Sequence, residues 1–267
     1  MNGTTLIQGI AAGVPYVAEP PAQRATAPVV IAWHLLSPPC TPEAFAAAIP
    51  LAGLDAWKIY LGLPLSGARL PEGGYDEVMR LGYEDAVRHL QYPIPHDAAA
   101  EFPAAFAALR EQLGFAADAP VGLVGGSAGS AAMLLTIANG FRPAAAVGVS
   151  PITNLKASTD ATGRHFGVEY PWDEETLAMV AELDFVARAD ELAGVPLRLV
   201  VGADDDAEGF VRPAEALRDR LPGVDLAVVP EQGHDLAEAP GFEPAPQLPG
   251  AARVDALAVE WLKGHLR

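Results

Sequence analysis

Basic residues are scarce in this chain: 17 Lys and Arg stand against 34 Asp and Glu, a formal net charge of −17. So acidic a surface excludes an extended nucleic-acid interface, favours solubility, and repels polyanionic ligands unless a local basic pocket intervenes. Cysteine is scarcer still. A single residue, Cys40 after Pro38-Pro39, leaves no intramolecular disulfide and no thiolate metal centre, and reads as a small, adaptable apolar side chain. No basic residue precedes Arg24 and no long apolar core opens the chain, so no secretory leader is expected and the expected location is cytoplasmic. No apolar run reaches the length of a membrane span. Two nucleotide-binding signatures are also missing, Gly-Lys-Ser/Thr and G-x-G-x-x-G after an early strand.

What is present is apolar and periodic. Hydrophobic residues make up 51% of 267 and charged residues 19%, enough to bury a substantial core and too few charges for general disorder. Residues 4–10 and 14–19 read as two strands joined by a Gly-containing turn, an opening hairpin. Further strands are expected at 28–33, 56–62, 121–124, 144–149, 197–201 and 226–229. Helix-like stretches separate most of them: 42–48, with Thr41 as N-cap and Pro42 at the first helical position, then 98–113, 130–138, 213–221 and a terminal 254–266. Alternation of this kind predicts an α/β fold, a mainly parallel eight-stranded sheet with helices on both faces and an antiparallel edge from the hairpin. Nothing divides the 267 residues into two domains. Residues 152–193 break the rhythm, with no convincing buried strand but with Phe166, Tyr170, Trp172 and Phe185, and read as a cap or lid insertion. The Pro-rich stretch 239–250 reads as a surface loop.

The chemistry-bearing stretch is VGLVGGSAGSAAML, residues 121–134. Gly125-Gly126-Ser127-Ala128-Gly129 matches G-x-S-x-G, where a strand gives way to a helix. A serine at the tip of a tight strand-to-helix turn needs glycine two places to either side, because neighbouring side chains would collide there. A hydroxyl is a poor nucleophile at neutral pH and must pass its proton to a base as it attacks, a task suited to histidine. Of six histidines, His234 is both far downstream of the serine and in a loop directly after a strand, with Gly233 freeing the backbone. The base needs an orienting carboxylate. LRLVVGADDDAEG offers Asp204, Asp205 and Asp206 directly after a strand and a glycine. Asp205 fits best, Asp204 second.

The order Ser127, Asp205, His234, each in a loop after a successive strand, resembles the α/β-hydrolase family over nearly the whole chain. The resemblance implies an oxyanion hole built from the amide of Ala128 and a second amide after the strand at 28–33. Members commonly carry His-Gly before that second donor; here His34 matches, Leu35 stands at the glycine position, and Leu36 would donate. It further implies a substrate pocket around His34, Leu35, Gly126, Phe166, Tyr170 and Trp172, with the insertion covering it. The activity implied is hydrolysis of a small, partly apolar carboxylic ester, with no metal and no organic cofactor. A thioesterase, acyltransferase or peptidase could use the same three groups, and a non-catalytic relative binding a small ligand is the rival from another class. The oligomeric state is left open, a homodimer being compatible with it.

Overall fold

The computed structural model describes residues 6–266. Strands β1 (Ile7–Ala11) and β2 (Val14–Glu19) form the expected hairpin, closed by Ala12 and Gly13 at φ 48° and 91°. Positive φ at both central residues gives the turn whose twist matches that of the flanking strands. Thr4 and Thr5, placed in the first strand from sequence, lie outside the described residues. The sheet continues with β3 (Val29–Trp33), β4 (Trp57–Leu61), β5 (Val121–Gly126), β6 (Ala145–Val149), β7 (Leu197–Gly202) and β8 (Val224–Val229). Its order is β1-β2-β4-β3-β5-β6-β7-β8. Only the β1–β2 and β2–β4 pairings are antiparallel.

Both faces of the sheet are covered, because strands buried on two sides must be. On one face lie α1 (Pro42–Ala48) and the terminal α8 (Pro249–His265). Val30, Ala32, Val124, Val147 and Val200 pack there with Phe45, Val254, Ala258 and Leu262. The opposite face carries α3 (Pro93–Leu113), α4 (Ala128–Ala138) and α7 (Arg212–Arg220). There Ile31, Trp33, Leu123 and Leu199 meet Phe102, Met133 and Leu217. Alternate residues of each strand serve alternate faces, the period-2 pattern of a pleated strand. Thr41 caps α1 as expected, its side chain accepting from the Ala44 amide.

Three stretches depart from the sequence reading. Helix α3 begins at Pro93 rather than residue 98, its early prolines being tolerated where first-turn amides have no helical acceptor anyway. A helix not foreseen, α2 (Gly74–Ala86), has no fully buried residue and turns Met79 and Tyr83 to solvent, so its apolar residues do not mark a core-facing element. Within 152–193 lie no strands but two α-helices, α5 (Leu155–Phe166) and α6 (Glu174–Ala181), and a short 3₁₀ turn at Ala189–Leu192; α6 is started by a reciprocal cap between Asp173 and Thr176. This segment is tied to the end of α2. Arg88 reaches Asp85 at 2.7 Å, Asp173 at 2.6 Å and Glu175 at 2.9 Å, while the Tyr170 hydroxyl donates to Asp85 at 2.6 Å. The pairs face solvent, so they set the position of the segment more than its stability.

Candidate active site

The parallel strands deliver their C-terminal ends to one edge of the sheet, where loops converge. β5 ends at Gly126, α4 starts at Ala128, and Ser127 between them has φ 45° and ψ −114°. That backbone is strained for a residue with a Cβ, at a cost of order 1–3 kcal/mol. The flanking glycines make the turn possible. A Cβ on Gly129 would lie 2.5 Å from the His34 carbonyl oxygen and closer still to that of Trp33, and one on Gly125 would lie 2.5 Å from the Ser130 Cα. The turn is pinned by the Ser127 amide donating to the Val149 carbonyl at 2.9 Å and by the Ser130 hydroxyl donating to the Ser127 carbonyl. Ser130 Oγ also accepts from the Ile152 amide at 2.8 Å, joining the elbow to the start of the 152–193 segment.

The three expected side chains meet. His234 Nε2 lies 2.9 Å from Ser127 Oγ, and His234 Nδ1 lies 2.9 Å from Asp205 Oδ2. An ionised carboxylate only accepts, so Nδ1 carries the proton and Nε2 presents its lone pair to the serine hydroxyl. Of the three aspartates, Asp204 is exposed and Asp206 is turned to Arg164 at 2.9 Å. The Asp205 side chain is 2% exposed, and its second oxygen accepts from the Asp206 amide at 2.7 Å. The alternatives open in the sequence thus resolve to Asp205 as the histidine's partner.

The loop bearing His234 is braced from several sides. The Ser150 hydroxyl donates to the His234 carbonyl at 2.9 Å from a backbone at φ 43°, a second strained non-glycine position. The Gln232 amide donates to the carbonyls of Gly233 and Asp235 at 3.0 and 2.7 Å. A Cβ on Gly202 would overlap the Gln232 carbonyl oxygen, which brings the loops after β7 and β8 together. Beyond His234 the chain follows the loop after β3, Leu236 donating to Pro38 at 3.0 Å and Cys40 to Gly241 at 2.9 Å. Further along, Phe242 packs edgewise on Tyr75, centroids 4.5 Å apart, beside a cavity of about 700 Å³ lined by Thr41, Glu43, Leu70, Tyr75 and Phe242 among others.

Ser130, Ser150, Gln232 and Phe210, whose ring lies 4.2 Å from the His234 ring, were not foreseen. For Ser150 a weak signal existed, a serine between a strand and Pro151. For Phe210 there was none.

Several residues expected to line a pocket do otherwise. His34 and Leu35 are fully buried, and the missing side chain of the buried Gly126 leaves the space that Leu35 Cδ1 fills. His34 Nε2 accepts from the Leu63 amide at 3.1 Å, so Nδ1–H donates to the Leu35 carbonyl at 2.6 Å. These residues lie beneath the loop that carries Leu36, because an apolar run following a buried strand stays in the core. Phe166 is 61% exposed and edges against His165. Tyr170 spends its hydroxyl on Asp85, and Trp172 its indole N–H on Asp160 at 2.9 Å. The first amide of α4, that of Ala128, has no intrahelical acceptor and sits at the positive end of the helix.

Burial, with a smaller push from Arg69 and an opposing hydrogen bond to Leu35, holds the His34 pKa down at about 4. A proton on Nε2 would face the Leu63 N–H, donor against donor. The unfolded chain binds a proton near pH 6.5 and the folded one only near 4, so stability is full above about 6.5 and falls as pH drops between those values. The loss amounts to about 3 kcal/mol at full extent. Urea unfolding between pH 7.5 and 4.5 measures it; His34→Gln should flatten that pH dependence, and an unchanged slope would remove His34 as its source.

No protein-family model matches the chain, and no curated protein matches it by sequence. Solved structures do. TT1662 from Thermus thermophilus matches at TM-score 0.68 and 18% identity over 98% of each chain. A cold-adapted esterase from an Arctic intertidal metagenomic library matches at 0.60 and 19%, over 98% of this chain and 93% of that one. Dienelactone hydrolase from Anabaena variabilis matches at 0.58 and 18%, over 98% of both. At such identities the likeness is one of backbone, and with the strand order and the serine elbow above it gives the conclusion that this chain has the α/β-hydrolase fold.

Proposed function

We propose that the chain is a serine hydrolase that cleaves small, partly apolar carboxylic esters through an acyl-enzyme, with Ser127 as nucleophile, His234 as base and Asp205 as its orienting carboxylate. The observation that carries this reading is the continuous row of two 2.9 Å hydrogen bonds from Ser127 Oγ through the imidazole to a buried carboxylate. In the first step Ser127 Oγ attacks the ester carbonyl carbon while its proton passes to His234 Nε2. The imidazolium is stabilised by Asp205 and then protonates the departing alkoxide. Water, deprotonated by the same nitrogen, attacks the acyl carbon, and the serine leaves with the proton. The amide of Ala128, at the start of α4, and that of Leu36 would hold the developing oxyanion, each such donor contributing about 3 kcal/mol.

The esterase and dienelactone hydrolase among the similar structures support the class of reaction. Residues 152–193 act in this reading as a cap, reaching the site through the turn after β7. A small-molecule ester is the only partner the reaction needs. Aryl esters graded by acyl length, with a thioester and an amide beside them, test the proposal. The expected result is turnover of short-chain esters, slower turnover of the amide, and loss of all of it in Ser127→Ala. Turnover that survives Ser127→Ala would refute the mechanism, and preference for the thioester would move the substrate class.

A further inference from the structure

Two hydrogen bonds, one at each ring nitrogen, hold the His234 imidazole in its row. Together they define a line through the ring. They resist displacement along that line, but the ring can rock about it while stretching neither bond much. Rocking turns the plane of the ring about that line, so a third constraint is needed to fix the imidazole's orientation, and it must act on the ring face.

Phe210 supplies such a face. Its ring centroid lies 4.2 Å from that of His234, the planes tilted by 45°. The phenyl group is delivered by a π-helical turn, Ala207–Val211, that begins two residues after Asp205. Turns of this widened kind are uncommon and concentrate at functional sites. This one is held from three directions. Asp206 Oδ1 accepts from the amides of Glu208 and Gly209 at 3.0 and 2.7 Å, and takes the Arg164 guanidinium at 2.9 Å. Gly209 packs so closely on α5 that a Cβ there would collide with that of Ala161. The Phe210 amide donates to the Asp206 carbonyl at 3.0 Å. α5 therefore clamps the turn, and the turn lays Phe210 on the base.

We infer that Phe210 is a positioning residue for His234, its ring fixing the tilt of the imidazole while Asp205, five residues earlier on the same loop, fixes the axis. The inference rests on the reading of His234 as the base. It also gives the 152–193 segment a role beyond covering a substrate, since α5 sets the base through Arg164 and Ala161. During proton transfer the same ring face meets an imidazolium, an attraction an aliphatic side chain would not supply.

Phe210→Leu keeps apolar bulk and removes the ring; Phe210→Tyr keeps the ring. The expected result is a kcat for aryl esters about tenfold lower in the leucine variant, with KM little changed, and recovery in the tyrosine variant. The Nδ1 proton of His234, followed by proton NMR, should give a sharp downfield signal in the wild type that broadens in Phe210→Leu and sharpens again in Phe210→Tyr. Arg164→Gln, at a half-exposed side chain that threatens folding little, should broaden the same signal by loosening the turn from outside. A leucine variant with wild-type kcat and a sharp signal would overturn the inference, as would a tyrosine variant that restores nothing. Should the wild-type protein turn over no ester, the reading of the site falls, and the proton signal alone still decides whether Phe210 holds the ring.

Discussion

Replacing Asp205 by asparagine is expected to lower kcat about 10⁴-fold with the fold intact. The reason is the pair of partners the carboxylate serves. Oδ1 accepts from the Asp206 amide at 2.7 Å, and Oδ2 accepts from His234 Nδ1 at 2.9 Å. An asparagine in the same rotamer has one oxygen, which the Asp206 N–H claims, so its NH₂ is turned toward Nδ1. Two donors cannot face each other, and the imidazole shifts its proton to Nε2. The nitrogen that should take the serine proton then already carries one. Matched circular dichroism and melting temperatures, together with kcat on a short aryl ester, check this. Asp204→Asn, at an exposed neighbour, should leave kcat near wild type. An Asp205→Asn variant within tenfold of wild type would mean that the carboxylate does not set the tautomer.

A second large effect is expected at Gly129, in stability as well as activity. Alanine there places a methyl group 2.5 Å from the His34 carbonyl oxygen and nearer still to that of Trp33, and both are backbone atoms of the sheet and its following loop. Neither can rotate away as a side-chain tip would. Either α4 lifts from β3 or the loop carrying Leu36 moves outward, at about 3 kcal/mol by the cost of overpacking a tight core. For a chain of this size that lowers the melting temperature by roughly 10 °C. Activity should fall further than the folded fraction does, because Ser127 and Leu36 sit on the two surfaces being forced apart. Gly264→Ala is the matched control: it lies within α8 with no atom close to an added Cβ, and should be neutral or stabilising by about 1 kcal/mol. Equal melting temperatures for the two variants would show that the elbow tolerates a side chain beneath it.

The contrast between these two glycines explains what was legible in the sequence. The elbow could be read because its steric demand is local: strand, turn and helix fall within residues 121–138, and the glycines sit where backbones touch. The eight strands could be read because each is an apolar run bounded by a turn, and the hairpin because Ala12-Gly13 permits its dihedral angles. His234 followed from its place after the last strand. The choice among Asp204, Asp205 and Asp206 was harder. Adjacent, identical residues differ only in which way a loop turns, and that is set by Gln232, whose carbonyl takes the Asp204 amide at 2.9 Å. α2 was not seen because its apolar residues serve no core: none is fully buried, and Met79 and Tyr83 face solvent. His34 and Leu35 were placed in a pocket because a residue near a site and a residue beneath it look alike in sequence. Phe210 lay in an unmarked loop, and only the packing of α5 against that loop gives it a neighbour in His234.

The most direct measurement is covalent capture by a fluorophosphonate, read by intact mass and then by peptide mapping. One equivalent should attach, on the peptide that contains Ser127, with none in Ser127→Ala and a strongly slowed reaction in His234→Ala. Attachment to another residue, or no attachment to protein that is fully folded, would contradict the assignment of Ser127 as a nucleophile activated by His234.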